Sequence, residues 1–212
     1  MFLNYRATIL PAIFCLIFIS ACAPTSRVVK DHSYAADLTG LELDESYSPT
    51  LVYVRPSTSK FEAYNRFIVD PVRVNYDDPN MEELDTATLA KMQAYFRDSL
   101  IQSLREGGYE VGTRSEPNTL RISLHISGLK APNAAANVTN AMVPFSISVG
   151  EVTVEAHFRE AMSDRLDIVA VANTQGSRFV NATPWSTWAD IESTFDQWVE
   201  GIRKEIDKAH QK

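Results

Sequence analysis

Cysteine is nearly absent from this sequence. The chain of 212 residues contains two cysteines, Cys15 and Cys22, and both lie near its N-terminal end. Because no cysteine follows residue 22, the remaining chain can form no internal disulfide and contains no CxxC metal-binding motif. Its fold must therefore be stabilised by a hydrophobic core, which a chain of this length is able to bury.

An excess of basic residues is also missing. Lysine and arginine together number 20, against 27 aspartates and glutamates, and the net charge is −7. Nucleic-acid-binding proteins normally carry a basic patch, as do proteins that bind anionic lipid headgroups electrostatically. The composition therefore argues against nucleic acid as a partner. With 45% hydrophobic residues, the chain is typical of a globular protein.

The sequence also lacks the motifs of common active sites. It has no GxSxG nucleophile turn and no glycine-rich phosphate loop, since Gly107 and Gly108 end a predicted helix instead of starting one. Two of the four histidines, His125 and His157, fall on the polar face of predicted strands, where we expect them to face solvent. The alternative is a zinc site formed by these imidazoles with Glu155, but no HxxxH spacing supports it. We predict no catalytic residues, no metal and no cofactor.

What the sequence does contain is an apolar N-terminal run. From Ala7 to Ile19 the chain is almost wholly apolar, and Arg6 is the only charged residue before Arg27. The run is too short for a membrane span, which needs roughly 20 apolar residues. It is instead typical of the hydrophobic region of a signal peptide.

The end of this run resembles the lipobox of bacterial lipoproteins, and it consists of Ile19, Ser20, Ala21 and Cys22. In those proteins the cysteine is linked to diacylglycerol and the chain is cut just before it. The resemblance implies that Cys22 is the lipidation site and that a membrane is one partner. Ala23 follows in place of the aspartate that favours inner-membrane retention, which favours the outer membrane on its periplasmic side. The alternative is an ordinary secretory signal with an accidental cysteine.

We therefore divide the chain into three parts: a signal peptide over residues 1–21, a lipid-anchored tether over residues 22–50, and one domain over residues 51–212. Without the signal peptide, whose only charged residue is Arg6, the net charge changes from −7 to −8. The tether is polar and weakly patterned, and as a coil it would span about 30 Å. Within it, the stretch from Leu41 to Tyr47 is a candidate for packing on the domain.

Alternation of apolar and polar residues predicts the strands. Residues 120–126 and 152–159 alternate strictly, and the turn at Asp164-Arg165 leads into a returning strand that ends at Asn173. Earlier strands are predicted over residues 51–54, 66–76 and 109–111. Asp70 and Pro71 interrupt the second of these, which indicates a sheet edge or a bulge. At this break Asp70 is expected to form local hydrogen bonds, the alternative being a buried acid.

Two helices are predicted. The first spans Thr86 to Glu106, with apolar residues every three or four positions. The second opens near residues 184–187, and its apolar stripe consists of Trp188, Ile191, Phe195, Trp198, Ile202 and Ile206. Burial of this stripe is worth on the order of 10 kcal/mol before entropy. We predict a two-layer α+β fold in which these helices cover a mixed or mainly antiparallel sheet of four to six strands.

The connection over residues 131–149 contains no charged residue. A structureless connection of this length inside a domain is unusual and often functional. Met142, Val143 and Phe145 are therefore candidates for insertion into a bilayer or a partner groove. The alternative is a loop and a helical turn folded over the sheet.

Five short segments together resemble the bacterial lipoproteins of family DUF3313, a domain of unknown function. They run from Leu51 to Pro56, Ile68 to Val72, Tyr95 to Arg97, Ser186 to Trp188 and Phe195 to Trp198. The likeness extends over the chain from about Gly40. It implies an envelope lipoprotein of α+β type, without established activity and without catalytic residues to transfer.

The sequence favours a lipid-anchored interaction or scaffold protein of the cell envelope, without catalytic activity, that contacts an unknown envelope protein. One alternative is a carrier of small lipophilic molecules whose pocket is lined by aromatic residues such as Trp185, Trp188 and Phe145, with Trp198 as a further core or ligand aromatic. Another alternative is a hydrolase. A carrier would contain a closed apolar cavity of about 300–1,000 Å³, whereas a scaffold would expose an apolar patch.

Overall fold

The computed structural model describes residues 37–48, 50–56, 61–74, 86–130, 151–173 and 188–212, with the backbone alone at residues 127–130, 151–152, 173 and 188–190. These residues form a mixed sheet covered on one face by two helices. The strands are β1 (Glu42–Leu43), β2 (Leu51–Val54), β3 (Arg66–Val69), β4 (Arg73–Val74), β5 (Glu110–Val111), β6 (Thr119–Lys130), β7 (Glu151–Glu160) and β8 (Leu166–Asn173). The predicted α+β class is confirmed.

The sheet has the strand order β1-β2-β8-β7-β6-β3-β5, and β4 also pairs with β6. In the part of this order that runs β1-β2-β8-β7-β6, each strand is antiparallel to its neighbour. β3 and β4 run parallel to β6, and β5 runs parallel to β3. The described sheet has eight strands, more than the predicted four to six. The difference has two sources: β1 was not predicted, and the strand predicted over residues 66–76 is divided at Asp70 and Pro71 into β3 and β4.

The break between β3 and β4 lies at Asp70 and Pro71. Val69 pairs with Ile122 of β6, and the pairing resumes where Arg73 meets His125. The Asp70 carboxylate accepts hydrogen bonds from Arg121 Nη1 at 3.1 Å and Ser123 Oγ at 2.6 Å. Its side chain is 27% exposed. Asp70 therefore connects the break between β3 and β4 to the neighbouring strand β6 by hydrogen bonds, as expected for an acid at this break.

The helices are α1 (Thr86–Glu106) and α2 (Trp188–Ala209). The first has the predicted bounds and ends at Gly107 and Gly108, where Gly108 has φ +78°. A glycine takes this left-handed conformation without the Cβ penalty of other residues. The predicted start of the second helix at residues 184–187 lies outside the described residues.

Aromatic packing joins the two helices above the sheet. Phe96 of α1 stacks on Phe195 of α2 with ring centroids 4.4 Å apart, and Trp198 lies 5.9 Å from each ring. Tyr109 Oη donates a hydrogen bond to Asp207 Oδ1 at 2.8 Å near the end of α2. The described core residues of the predicted stripe are Ile191, Phe195, Trp198 and Ile206, all buried, with Ile202 half-buried beside them.

The residues just before β2 pack on the sheet. β1 extends the sheet edge, and a 3-10 turn over Glu45–Tyr47 follows it, capped by the Asp44 carboxylate. Leu38 and Leu41 contact a second apolar cluster that includes Val169 and Val171. This cluster lies on the outer face of the sheet, which is the face opposite the helices. The C-terminal part of the predicted tether is thus folded onto the domain.

Candidate functional site

A cavity of about 330 Å³ lies between α2 and the helix-facing side of β2, β7 and β8. Its floor includes Ala156, Ala170 and Ala172, and its roof includes Gly201 and Ile202. It is lined mostly by apolar atoms and is partly open to solvent. Its volume falls at the lower end of the range of small-molecule pockets, about 300–1,000 Å³.

The cavity exists because small residues occupy the floor at this end of the sheet. On the α1 side, Phe67, Leu120 and Ile122 are at most 1% exposed and fill the space under the helix. On the α2 side, Ala156 pairs with Ala170 across β7 and β8, so two methyl groups stand where large side chains would close the core. A Cβ added at Gly201 would meet no atom within 4 Å. The missing volume is therefore shared by sheet and helix.

Two buried polar atoms belong to residues that line this cavity. Nε1 of Trp198 and Oγ1 of Thr50 have no hydrogen-bond partner in the described part of the chain. An unsatisfied buried polar group costs about 1–3 kcal/mol. The indole N–H can only donate, and the hydroxyl can donate or accept. Both atoms are closed off from solvent, so an oxygen acceptor from outside the described residues would reach them only if their side chains moved.

Charged and hydroxyl groups also line the cavity near the C-terminal end of α2. Tyr47 Oη donates to Glu205 Oε2 at 3.0 Å, and Lys208 Nζ lies 3.7 Å from the same oxygen. Burial, together with the hydrogen bond to Glu205, raises the pKa of Tyr47 to about 12, so the phenol remains a donor at neutral pH. Lys204 is exposed and lines the same cavity. The Glu205 carboxylate is thus engaged by a phenol and an ammonium group.

The residues predicted as site residues are only partly described. Trp198 is 6% exposed, packs in the aromatic cluster and lines the cavity. Trp188 begins α2, but its side chain lies outside the description, as do Trp185, Met142, Val143, Phe145 and Cys22. The small floor residues were not predicted, although alanine at two successive helix-facing positions of β8, Ala170 and Ala172, is a visible sequence signal.

The outer face of the sheet carries a second polar cluster. Glu155 Oε2 lies 2.7 Å from His157 Nε2, and the rings of His125 and His157 are 4.6 Å apart. The exposed fractions are 1% for Glu155, 4% for His157 and 8% for His125. The prediction that the two histidines face solvent is therefore wrong. Alternation distinguishes the two faces of a strand but does not show whether both faces are covered.

Burial is the main reason that the pKa of His125 falls to about 4, and the nearby His157 lowers it further. His125 is thus neutral at physiological pH. Within the described ranges, no group of three or more His, Cys, Asp or Glu side chains is placed to hold a metal ion. The described geometry therefore gives no support to the zinc alternative.

No helix among the described residues is long and apolar enough to cross a membrane. The fold and site define an α+β protein with a partly open apolar cavity between its C-terminal helix and its sheet. The chain belongs to the family described as "Protein of unknown function (DUF3313)", whose model matches residues 30–202. The predicted family resemblance is thereby confirmed. No curated protein matches the chain.

Three solved structures have a partial likeness to the chain. A neuraminyllactose-binding hemagglutinin homolog from Helicobacter pylori is 11% identical, with 70% of this chain and 86% of that chain covered and a TM-score of 0.38. A PelC dodecamer from Paraburkholderia phytofirmans is 9% identical, with 65% and 86% covered and a TM-score of 0.36. A DUF4136 family protein from Bacteroides thetaiotaomicron is 12% identical, with 73% and 95% covered and a TM-score of 0.35. Likenesses at this level say nothing about activity.

Proposed function

We propose that this protein binds a small lipophilic molecule in the cavity under α2, while a lipid on Cys22 holds it at a membrane of the cell envelope. The observation that carries the proposal is the apolar cavity of about 330 Å³. A cavity of this volume lies at the lower end of the range for small-molecule sites, which favours a small ligand. The proposal is binding without catalysis and includes no chemical step.

The apolar floor supports this proposal over a packing defect. Natural cores are packed to nearly crystalline density, and even one missing methylene group has a measurable cost. The same sheet is tightly filled under α1, where Leu120 and Ile122 are at most 1% exposed. Under α2, small residues such as Ala170 and Gly201 leave part of the corresponding space unfilled by the described residues. Their small size supports an occupant that is not one of the described core residues.

The described surface offers less to the scaffold prediction. The large hydrophobic residues that are exposed in the described ranges are Leu43 and Met162, which are 46% and 61% exposed. Single exposed apolar residues are normal on soluble surfaces. The patch expected at Met142, Val143 and Phe145 lies outside the described residues. The interaction role thus stays a prediction, whereas the cavity supports the proposal of ligand binding.

Saturable binding of N-phenyl-1-naphthylamine, a neutral lipophilic dye, tests the proposal by fluorescence. The full chain carrying Cys22→Ser is used so that acyl chains at this position do not compete. We expect one dye per chain, and we expect Gly201→Leu to reduce the affinity at least about tenfold because its side chain would enter an apolar cavity of limited volume.

The matched control is Gly112→Leu. A Cβ at Gly112 also meets no atom within 4 Å, but this residue does not line the cavity. The control should bind dye like the parent chain. Equal dye affinity in the parent and Gly201→Leu chains, both folded by circular dichroism, would rule out the cavity as the binding site.

A further inference from the structure

We infer that the ligand of this cavity is an anionic amphiphile, with a hydrocarbon part over the alanine floor and an oxygen-bearing anionic group near the lysines of α2. The inference rests on the proposed function and adds the chemical class of the ligand. It follows from the polar groups that line an otherwise apolar space.

The first support is the pair of unpartnered atoms. The indole N–H of Trp198 and the hydroxyl of Thr50 are buried without partners in the described ranges. Both residues line the cavity, and only 6% of the Trp198 surface is exposed. A pure hydrocarbon would leave both atoms unsatisfied. Both atoms are closed off from a water-sized probe, so a ligand oxygen would satisfy one of them only after its side chain moves towards the cavity, and such a gain is open to an oxygenated molecule alone.

The second support is the charge of the lining. Lys204 and Lys208 lie four positions apart on α2, which places them on neighbouring turns of one helix face. The acid beside them, Glu205, already accepts a hydrogen bond from Tyr47 and lies 3.7 Å from Lys208. Lys204 has no ion-pair partner within the described part of the chain. The lining is thus net positive in a protein whose overall charge is −7.

A local positive charge on an acidic protein matters for ligand choice. Anions are attracted to such a site, whereas cations are attracted to most of the remaining surface. The lysine stems also contribute methylene groups at the edge of an apolar cavity while the ammonium groups stay in water. An acyl chain with a carboxylate or phosphate group matches this arrangement, since its charge lies at one end of a hydrocarbon.

Titration calorimetry with four ten-carbon probes tests the inference: decanoate, decyl phosphate, decanol and decyltrimethylammonium. The full chain with Cys22→Ser is the protein. We expect the two anionic probes to bind at least about tenfold more tightly than the cationic probe, and we expect their affinity, but not that of decanol, to fall as salt is raised. The comparison of decanoate with decyl phosphate separates a fatty-acid source from a phosphate headgroup.

The variant that tests the lysines is the double change Lys204→Glu and Lys208→Glu. It should remove the preference for anions, whereas the double change Lys91→Glu and Arg105→Glu on α1 makes the same change of four charge units away from the cavity and should preserve it. The salt dependence of the parent chain gives an independent reading if the double variant does not fold.

Each outcome has a separate meaning. Equal affinity for all four probes, abolished by Gly201→Leu, would overturn the anionic class and leave the proposed function intact. Failure of every probe and of the neutral dye to bind would overturn both proposals. A dimer that is lost in Gly201→Leu would assign the cavity to a second copy of this chain and overturn the ligand class.

Discussion

Single residues give the two faces of the sheet different chemistry. On the helix-facing side, Ala156 and Ala170 leave space for a ligand. On the outer face, Glu155 and His157 are buried as a hydrogen-bonded pair with 2.7 Å between their atoms. Burial of polar and charged groups costs free energy unless they are paired. Beside this pair lies His125, whose pKa is lowered by burial, so this face contributes a pH dependence to the stability of the fold.

His125 should make the protein less stable in acid. The pKa of His125 in the folded protein is about 4, below the ordinary histidine value of 6.5, mainly because burial disfavours the charged ring. His157, Arg73 and Arg159 lower it further, and Glu155 opposes them. Above the unfolded pKa both states are neutral. As pH falls from about 6.5 to about 4, the unfolded chain takes up the proton first, so stability is lost in that window, on the order of 2 kcal/mol.

Urea unfolding at about pH 7 and about pH 4.5 measures this loss, and His125→Gln should remove most of it because glutamine does not titrate there. His32→Gln is the control, since this histidine lies in the predicted tether and not in the predicted domain. A pH of about 4.5 is chosen because the pKa values of Asp207 and Glu160 are lowered in the folded protein. The stability that these two carboxylates contribute is therefore lost mainly at lower pH. An undiminished pH dependence in His125→Gln would contradict the assignment.

The histidines also show what sequence could and could not predict at this scale. Alternation correctly placed His125 and His157 on the face opposite Ile122 and Leu124, because side chains alternate along a strand. Their burial was not predictable from that period, since it depends on what covers the second face. For the same reason the alanine floor of the cavity was not predicted, although a pocket was considered as the carrier alternative. An alanine in a strand pattern reads as a core position, and only the opposing helix shows whether the space is filled.

Among the elements, α2 has the largest role in both stability and site. Four of its residues are buried in the core: Ile191, Phe195, Trp198 and Ile206. Gly201 and Lys204 of the same helix line the cavity. The bounds of α1 and the stripe of α2 were predictable because a period of three to four residues persists over many turns. The short strand β1 was not, because two residues contain no period, whereas β4 lies within the strand predicted over residues 66–76.

Truncation of the chain before Trp188 should unfold the domain. The buried face of α2 contributes on the order of 10 kcal/mol before entropy, whereas a whole domain is stable by only about 5–15 kcal/mol. Loss of the helix would also expose Phe96 and Leu100 of α1, which are both fully buried. Thermal unfolding followed by circular dichroism measures the effect.

A chain that ends at His210 provides the control for this truncation. It keeps all of α2 and the hydrogen bond from Tyr109 to Asp207, and it loses the contact of Lys212 Nζ with Gly107 O. It should unfold cooperatively, close to the full chain. A cooperative transition like that of the full chain in the protein truncated before Trp188 would falsify the role given to α2.

For the whole molecule, the cavity and the proposed lipid define a working arrangement. The described fold begins at residue 37, and Leu38 and Leu41 pack on the apolar cluster of the outer sheet face. Residues 22–36 would therefore be the link between the lipid and the domain, shorter than the tether of residues 22–50 that we predicted. As a coil this link would span about 20 Å. Under the proposed function, a cavity held that close to a bilayer would meet lipophilic molecules as they leave the membrane surface.

Lipidation of Cys22 is the premise of this arrangement and can be tested directly. Three acyl chains at about 0.8 kcal/mol for each buried methylene group would hold the chain on a membrane almost permanently. Cys22→Ser should therefore abolish incorporation of labelled palmitate and move the protein from the membrane fraction to the soluble fraction. Cys15→Ser lies in the same apolar run and should leave both measurements unchanged, because its thiol is removed with the signal peptide. Membrane association of Cys22→Ser that survives both high salt and carbonate would instead mean that the N-terminal run itself is retained in the bilayer.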